Sequence, residues 1–296
     1  TVALTTGEAS TNVDPTTVQR CNFRNCTNTG DITVTITNGG SMAENAGTAG
    51  SGNYSNIGGV VGFAMGELVG CHNSGAVTFN VPTNETSACM SRPAVGGVAG
   101  YVWKSMTDCD NSGAVTIKGT FANGGTNNAG AGNSGASSFG GVVGQIGPMA
   151  SDDNFAMTNC HNTGAVKFQS WMAATNGSAS YLGGVAGYSN VKMTNCSNSG
   201  KAFLESKSAY VNAGGVVGYC AQAMDNLSNN GETEIQFIRS TAASQQIGKQ
   251  VYAFRITNAA TLEYFKNRRS LDIQIQQRNT VSPVRKRNRN ICCSSR

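Results

Sequence analysis

The sequence predicts an all-β fold, a three-faced parallel β-solenoid of the right-handed β-helix kind, on three observations. Two motifs alternate along most of the chain: six copies of Cys-x-Asn-x-Gly or a near relative, and five of Gly-Gly-Val-(Val/Ala)-Gly. Recurrence at intervals of this size marks a stack of similar coils, each burying its neighbour's face. After each motif glycine, apolar residues return at the second and fourth positions, the period of a strand with one face inward. Composition agrees, since 12% of residues are charged and 38 of 296 are glycine, a balance suited to turns and close backbone approach.

Residues 1–17 read as a lead-in or cap, 18–238 as the solenoid of about six repeats, and 239–296 as a basic tail outside it. The Gly-Gly pairs begin at Gly58, Gly96, Gly140, Gly183 and Gly214, and the first coil has none before it. Within each pair's strand, Val60, Val98, Val142, Val185 and Val216 are read as inward. Behind them Phe63, Tyr101, Gln145, Tyr188 and Tyr219 make a mostly aromatic row, suited to stacking or to a sugar platform. Next comes an apolar residue three places before each motif: Phe23, Leu68, Met106, Met157, Met193 and Met224. One such residue per coil is core filling.

The motif's first position is Cys26, Cys71, Cys109, Cys160, Cys196 and finally Leu227. A leucine in the slot points to an apolar site that a free thiol also fills, and bridges between adjacent coils stay open as the alternative. Asn28, Asn73, Asn111, Asn162, Asn198 and Asn229 stand at a turn before glycine and should stack as a ladder of amides. The outgoing strands then bury Ile32 and Val34, Val77 and Phe79, Val115 and Ile117, Val166 and Phe168, Ala202 and Leu204, with Thr233 and Ile235 in the last copy. Gly-Gly pairs lie 38, 44, 43 and 31 residues apart, more than three short strands need. The excess should leave as variable Gly/Asn-rich loops, among them 37–56, 80–94, 119–138 and 169–181, where recognition on a rigid scaffold usually sits.

This succession, Gly-Gly-Val-Val-Gly-aromatic and then an apolar strand into Cys-x-Asn-x-Gly-x-Val, resembles the GLUG-type repeat over residues 18–238. That repeat occurs in large bacterial surface proteins, including adhesins, and in repetitive surface proteins of Bacteroidetes-like bacteria. Here Val replaces the commoner Leu, and Leu227 ends the cysteine column. The resemblance implies a stalk or display surface without catalytic machinery, placed outside the cell or on its surface.

Chemistry is sparse. Residues just after the motif cysteine include His72, Asp110 and His161, which consecutive coils would align about 4.8 Å apart as a candidate metal site, with Asp108 nearby. Glu67, Glu85, Asp152 and Asp153 are scattered, without the paired spacing of a glycosidase. The stretch 124–135 lacks the Lys-Ser/Thr ending of a phosphate loop, and the threonines at 33, 35 and 37 do not continue as an ice-binding row in later coils. Candidate ligand-binding residues are Tyr101, Trp103, Trp171, Tyr188 and Tyr219.

Residues 1–238 carry a net charge of −5 and residues 239–296 of +10. Three readings of the tail stay open: a disordered or non-native segment, a native unstructured one, and a basic module for anionic partners. No apolar run reaches the roughly 18 residues that cross a bilayer, so membrane attachment is expected only through segments outside this chain. The sequence therefore predicts a non-enzymatic adhesion scaffold with no cofactor, a glycan or protein of a host or bacterial surface as partner, and no nucleic acid on the solenoid. A carbohydrate-binding or carbohydrate-active β-helix is the first alternative and a phage or fibre module the second.

Overall fold

A computed structural model describes residues 22–36, 55–82, 90–91, 93–119, 121–122, 137–147, 154–170, 180–206, 211–239 and 272–277. Every regular element among them is a strand, and every strand pairing is parallel and in register. Five stacked sheets run along the molecule, with a two-stranded sheet beside them. The chain is an all-β parallel solenoid.

Five short strands make one coil, and the two motifs supply the bends between them. The Gly-Gly-Val segment divides into two strands, such as Ala94–Gly96 and Ala99–Val102, hinged at the second glycine. The cysteine motif likewise divides, into Met106–Thr107 and Asp110–Asn111, before the longer strand Val115–Gly119. The three segments read from sequence are thus folded more finely, because a bend sits inside two of them.

Each coil hydrogen-bonds to the next through its backbone, as in Val77 N–H to Ala114 O at 2.8 Å and Val98 N–H to Val142 O at 2.9 Å. Equivalent side chains therefore form columns. Phe23, Leu68, Met106, Met157, Met193 and Met224 align, and so do Val77, Val115, Val166 and Ala202. The inward valines Val98, Val142, Val185 and Val216 are buried. The motif cysteines carry free thiols, buried at Cys71, Cys109, Cys160 and Cys196 and half-buried at Cys26, and Leu227 continues the slot.

The interior falls into two apolar compartments. One holds the Cys and Met columns with the Gly-Gly-Val valines, and the other holds Phe79, Ile117, Phe139, Phe168, Leu182 and Leu204. Between them runs the asparagine ladder. Asn28 Nδ2 donates to Asn73 Oδ1, Asn73 to Asn111, and Asn111 to Asn162, each at 2.8 Å, then Asn162 to Asn198 at 2.8 Å and Asn198 to Asn229 at 2.9 Å. Each amide also donates to the carbonyl of its own motif glycine, Asn73 to Gly75 at 2.7 Å for example. A carboxamide packed inside a protein needs all these partners, since an unpartnered buried donor costs about 1–3 kcal/mol.

The second glycine of each Gly-Gly pair makes room for the ladder. A Cβ on Gly97 would collide with the Asn111 carboxamide and Gly141 O, and one on Gly184 with Asn198 and Gly215 O. The coil is pinched here, the backbone of one wall lying directly on the amides of the other.

Most long connections leave at one corner, while residues 147–155 join Val143–Ile146 to Ala156–Thr158 at another. Residues 36–55, 81–93, 120–137, 171–179 and 207–210 all join the strand after the motif to the next Gly-Gly strand. Most of the predicted loops lie outside the described residues, but two insertions meet: Met90–Ser91 and Phe121–Ala122 form a parallel pair. The lead-in at 1–17 lies outside the described residues. Of the tail, Asp272–Gln277 is described. It pairs in parallel with 234–239, Glu234 opposite Asp272, adding a seventh strand to that sheet beyond the boundary read at residue 238.

Candidate functional site

The outer face over the cysteine motif is the richest in chemistry, and its shape follows from one backbone requirement. To turn inward at the cysteine, the preceding residue takes a left-handed conformation: Asn25 at φ 55°, Asp108 at 54°, Asn159 at 53°, Asn195 at 54° and Asn226 at 49°, with Gly70 at 62°. Asn, Asp and Gly are the residues that tolerate this geometry. Their side chains point outward and form a second ladder. Asn159 Nδ2 donates to Asp108 Oδ1 at 3.0 Å, Asn195 to Asn159 at 3.2 Å, and Asn226 to Asn195 at 2.7 Å. The sequence signal for it was the Asn-Cys pair, obscured where Gly70 and Asp108 replace the amide.

Beside this ladder lies the column after the cysteine: Thr27, His72, Asp110, His161, Ser197 and Ser228, one per coil in register. His72 Nδ1 lies 3.5 Å from Asp110 Oδ2, with both side chains about half exposed. The other carboxylate oxygen accepts from the His161 backbone N–H at 3.1 Å. The His161 ring turns toward the next coil, its Nδ1 2.7 Å from Ser197 Oγ. The structure thus aligns the three predicted residues and pairs two of them. Among the described residues, no three His, Cys, Asp or Glu side chains converge to hold a metal.

The aromatic row is present and in register, with Phe63 beside Tyr101, Gln145 next, then Tyr188 and Tyr219. Its rings spend their faces on one another. Tyr188 and Tyr219 stack at 5.3 Å with an interplanar angle of 6°, and Tyr181 lies within 5.5 Å of both. Phe63 packs on Tyr101 at 5.2 Å and faces Trp103 at 6.4 Å. Tyr101 is 8% exposed and Tyr188 4%, and the Tyr101 hydroxyl donates to Gly147 O at 3.1 Å. Tyr219, Phe63 and Trp103 keep partial exposure, and Trp171 lies outside the described residues.

Elsewhere, Lys201 bridges Glu232 at 3.2 Å and Glu234 at 2.8 Å, contacts that hold its ammonium above the usual lysine range. Burial pushes the thiols of Cys160 and Cys220 up, the latter to about 11. No family model, curated protein or solved structure matches the chain. Any functional reading therefore rests on the site's own geometry and on the repeat motifs.

Proposed function

We propose that the chain is a non-catalytic scaffold of the GLUG-repeat kind, carried outside the cell or on a bacterial surface, that displays variable loops for adhesion. The observation that carries this reading is the placement of length variation. Coils of near-constant geometry repeat in register, while most of the long connections emerge at one corner between the same two sheets, 147–155 being an exception at another corner. A rigid rod with most of its variation gathered along one edge is suited to presenting recognition loops to a glycan or a protein on another surface. The interior supports rigidity: two apolar compartments and a continuous amide ladder leave little freedom between coils.

The test is binding of the purified chain to arrays of surface glycans and matrix proteins, with parallel screening for polysaccharide breakdown. Binding that disappears when 37–54 and 123–136 are shortened to the length of 207–210, with the β-sheet circular dichroism retained, supports loop-borne adhesion. Turnover of a polysaccharide would instead identify a carbohydrate-active β-helix and overturn the reading.

A further inference from the structure

We propose that the interior thiol column takes up monovalent soft metal ions of the Cu(I) and Ag(I) class as a linear thread of sulfur–metal–sulfur links along the solenoid axis. Cys26, Cys71, Cys109, Cys160 and Cys196 occupy one position in successive coils, since the residue after each pairs in register with its neighbours. All five are free thiols. Each thiol donates to the carbonyl two residues before it, Cys109 to Thr107 O at 3.3 Å, Cys160 to Thr158 O at 3.4 Å and Cys196 to Thr194 O at 3.4 Å, so the same contact recurs from coil to coil.

The spacing fits such an ion. A metal–thiolate bond is about 2.3 Å by the zinc value, so a linear two-coordinate link spans about 4.6 Å. Neighbouring parallel strands lie about 4.8 Å apart. Sulfurs set on a line offer no third ligand to one point, in keeping with the lack of any converging trio among the described residues. This disfavours tetrahedral zinc. Thiolate softness favours Cu(I) and its congeners, and the Met106, Met157 and Met193 thioethers lie in the same apolar compartment.

Charge decides the stoichiometry. The compartment is apolar, so an uncompensated charge inside it is costly. Five thiols enclose four gaps; four monovalent ions displacing four protons, with one thiol keeping its own, leave the column neutral. In balance, five R–SH and four M⁺ give (RS)₄(RSH)M₄ and four H⁺. The half-buried Cys26 marks the end at which ions would enter.

The test uses the full, reduced chain with Cys21, Cys89, Cys220, Cys292 and Cys293 replaced by alanine, titrated with silver nitrate in chloride-free buffer. Native mass spectrometry, proton release and far-ultraviolet circular dichroism are followed together. The expected result is uptake of four silver ions and release of four protons with the β-sheet signal unchanged. Position then distinguishes a thread from independent thiols. Cys26→Ala removes one gap and should leave three ions, whereas Cys109→Leu, which copies the natural Leu227, removes two and should leave two. No uptake by the folded chain, loss of only one ion from Cys109→Leu, or uptake only as the β-sheet signal collapses would each overturn the proposal. Should Cys109→Leu fail to fold, the drop from four to three in Cys26→Ala and the preserved fold in the parent still decide it.

Discussion

Two polar columns follow the cysteine motif through the solenoid and obey different rules: the inner is a continuous amide ladder, and the outer is joined through its side chains from Asp108 to Asn226. The inner one keeps asparagine at every rung from Asn28 to Asn229, and its middle members are 1–2% exposed. The outer one, from Asn25 to Asn226, admits Gly70 and Asp108. What the outer position demands is a left-handed backbone, and three residue types supply it. What the inner position demands is a donor, an acceptor and a fixed size between two apolar compartments, and only the carboxamide of asparagine provides all three. Water can replace a lost partner outside but not inside.

Substitutions should separate the two ladders, beginning with the largest effect. Asn111→Ala strands the Asn73 donor and the Asn162 acceptor, so denaturant unfolding should show a loss of roughly 2–6 kcal/mol, two orphaned groups at ~1–3 kcal/mol each. Gly97→Ala attacks the same contact from the opposite wall and should cost at least the roughly 1–3 kcal/mol of an overpacked core, more if the ladder breaks. A loss below ~0.5 kcal/mol in either variant would mean that the amides do not brace the coils. In the outer ladder, Asn195→Ala should cost about 1–2 kcal/mol, mainly from the left-handed backbone, while Asn195→Gly should stay closer to wild type.

A pH titration probes the interior from another side. Burial raises the Cys220 thiol from an ordinary value of about 9 to about 11, so the folded chain holds this proton more tightly than the unfolded one. The resulting stability is complete below about pH 9 and is lost as pH rises toward and through about 11. Melting temperature against pH should fall across that window, and Cys220→Val should flatten the fall. The smallest effect belongs to the exposed face: His72→Ala removes a half-exposed pair with Asp110 and should change stability by roughly 0–1 kcal/mol.

The inner columns were legible because repetition reported them. Cys, Asn, Gly and the period-two apolar residues recur with fixed spacing, and a parallel stack turns equal sequence position into spatial contact. The division of each coil into five strands was less legible, since the bend at the second glycine is imposed by the amide on the opposite wall, a partner some 14 residues on in sequence. The outer ladder escaped notice because identity varies while backbone conformation does not. For the aromatic row, alignment followed from register, but the burial of Tyr101 and Tyr188 depends on what packs over an outward face, which no local pattern encodes. In the candidate column, register placed His72 beside Asp110, whereas the turn of His161 toward Ser197 is a side-chain choice invisible to spacing.

Parallel register is the premise of both ladders and of the thiol column, and a distance between spin labels tests it most directly. Ser74 and Asn230 are exposed and occupy the same motif position four coils apart. Labels placed there should give a narrow distribution centred near ~19 Å, four rungs of ~4.8 Å each, broadened only by the label tethers. A broad distribution, or one centred beyond about twice that length, would contradict the stacked coils.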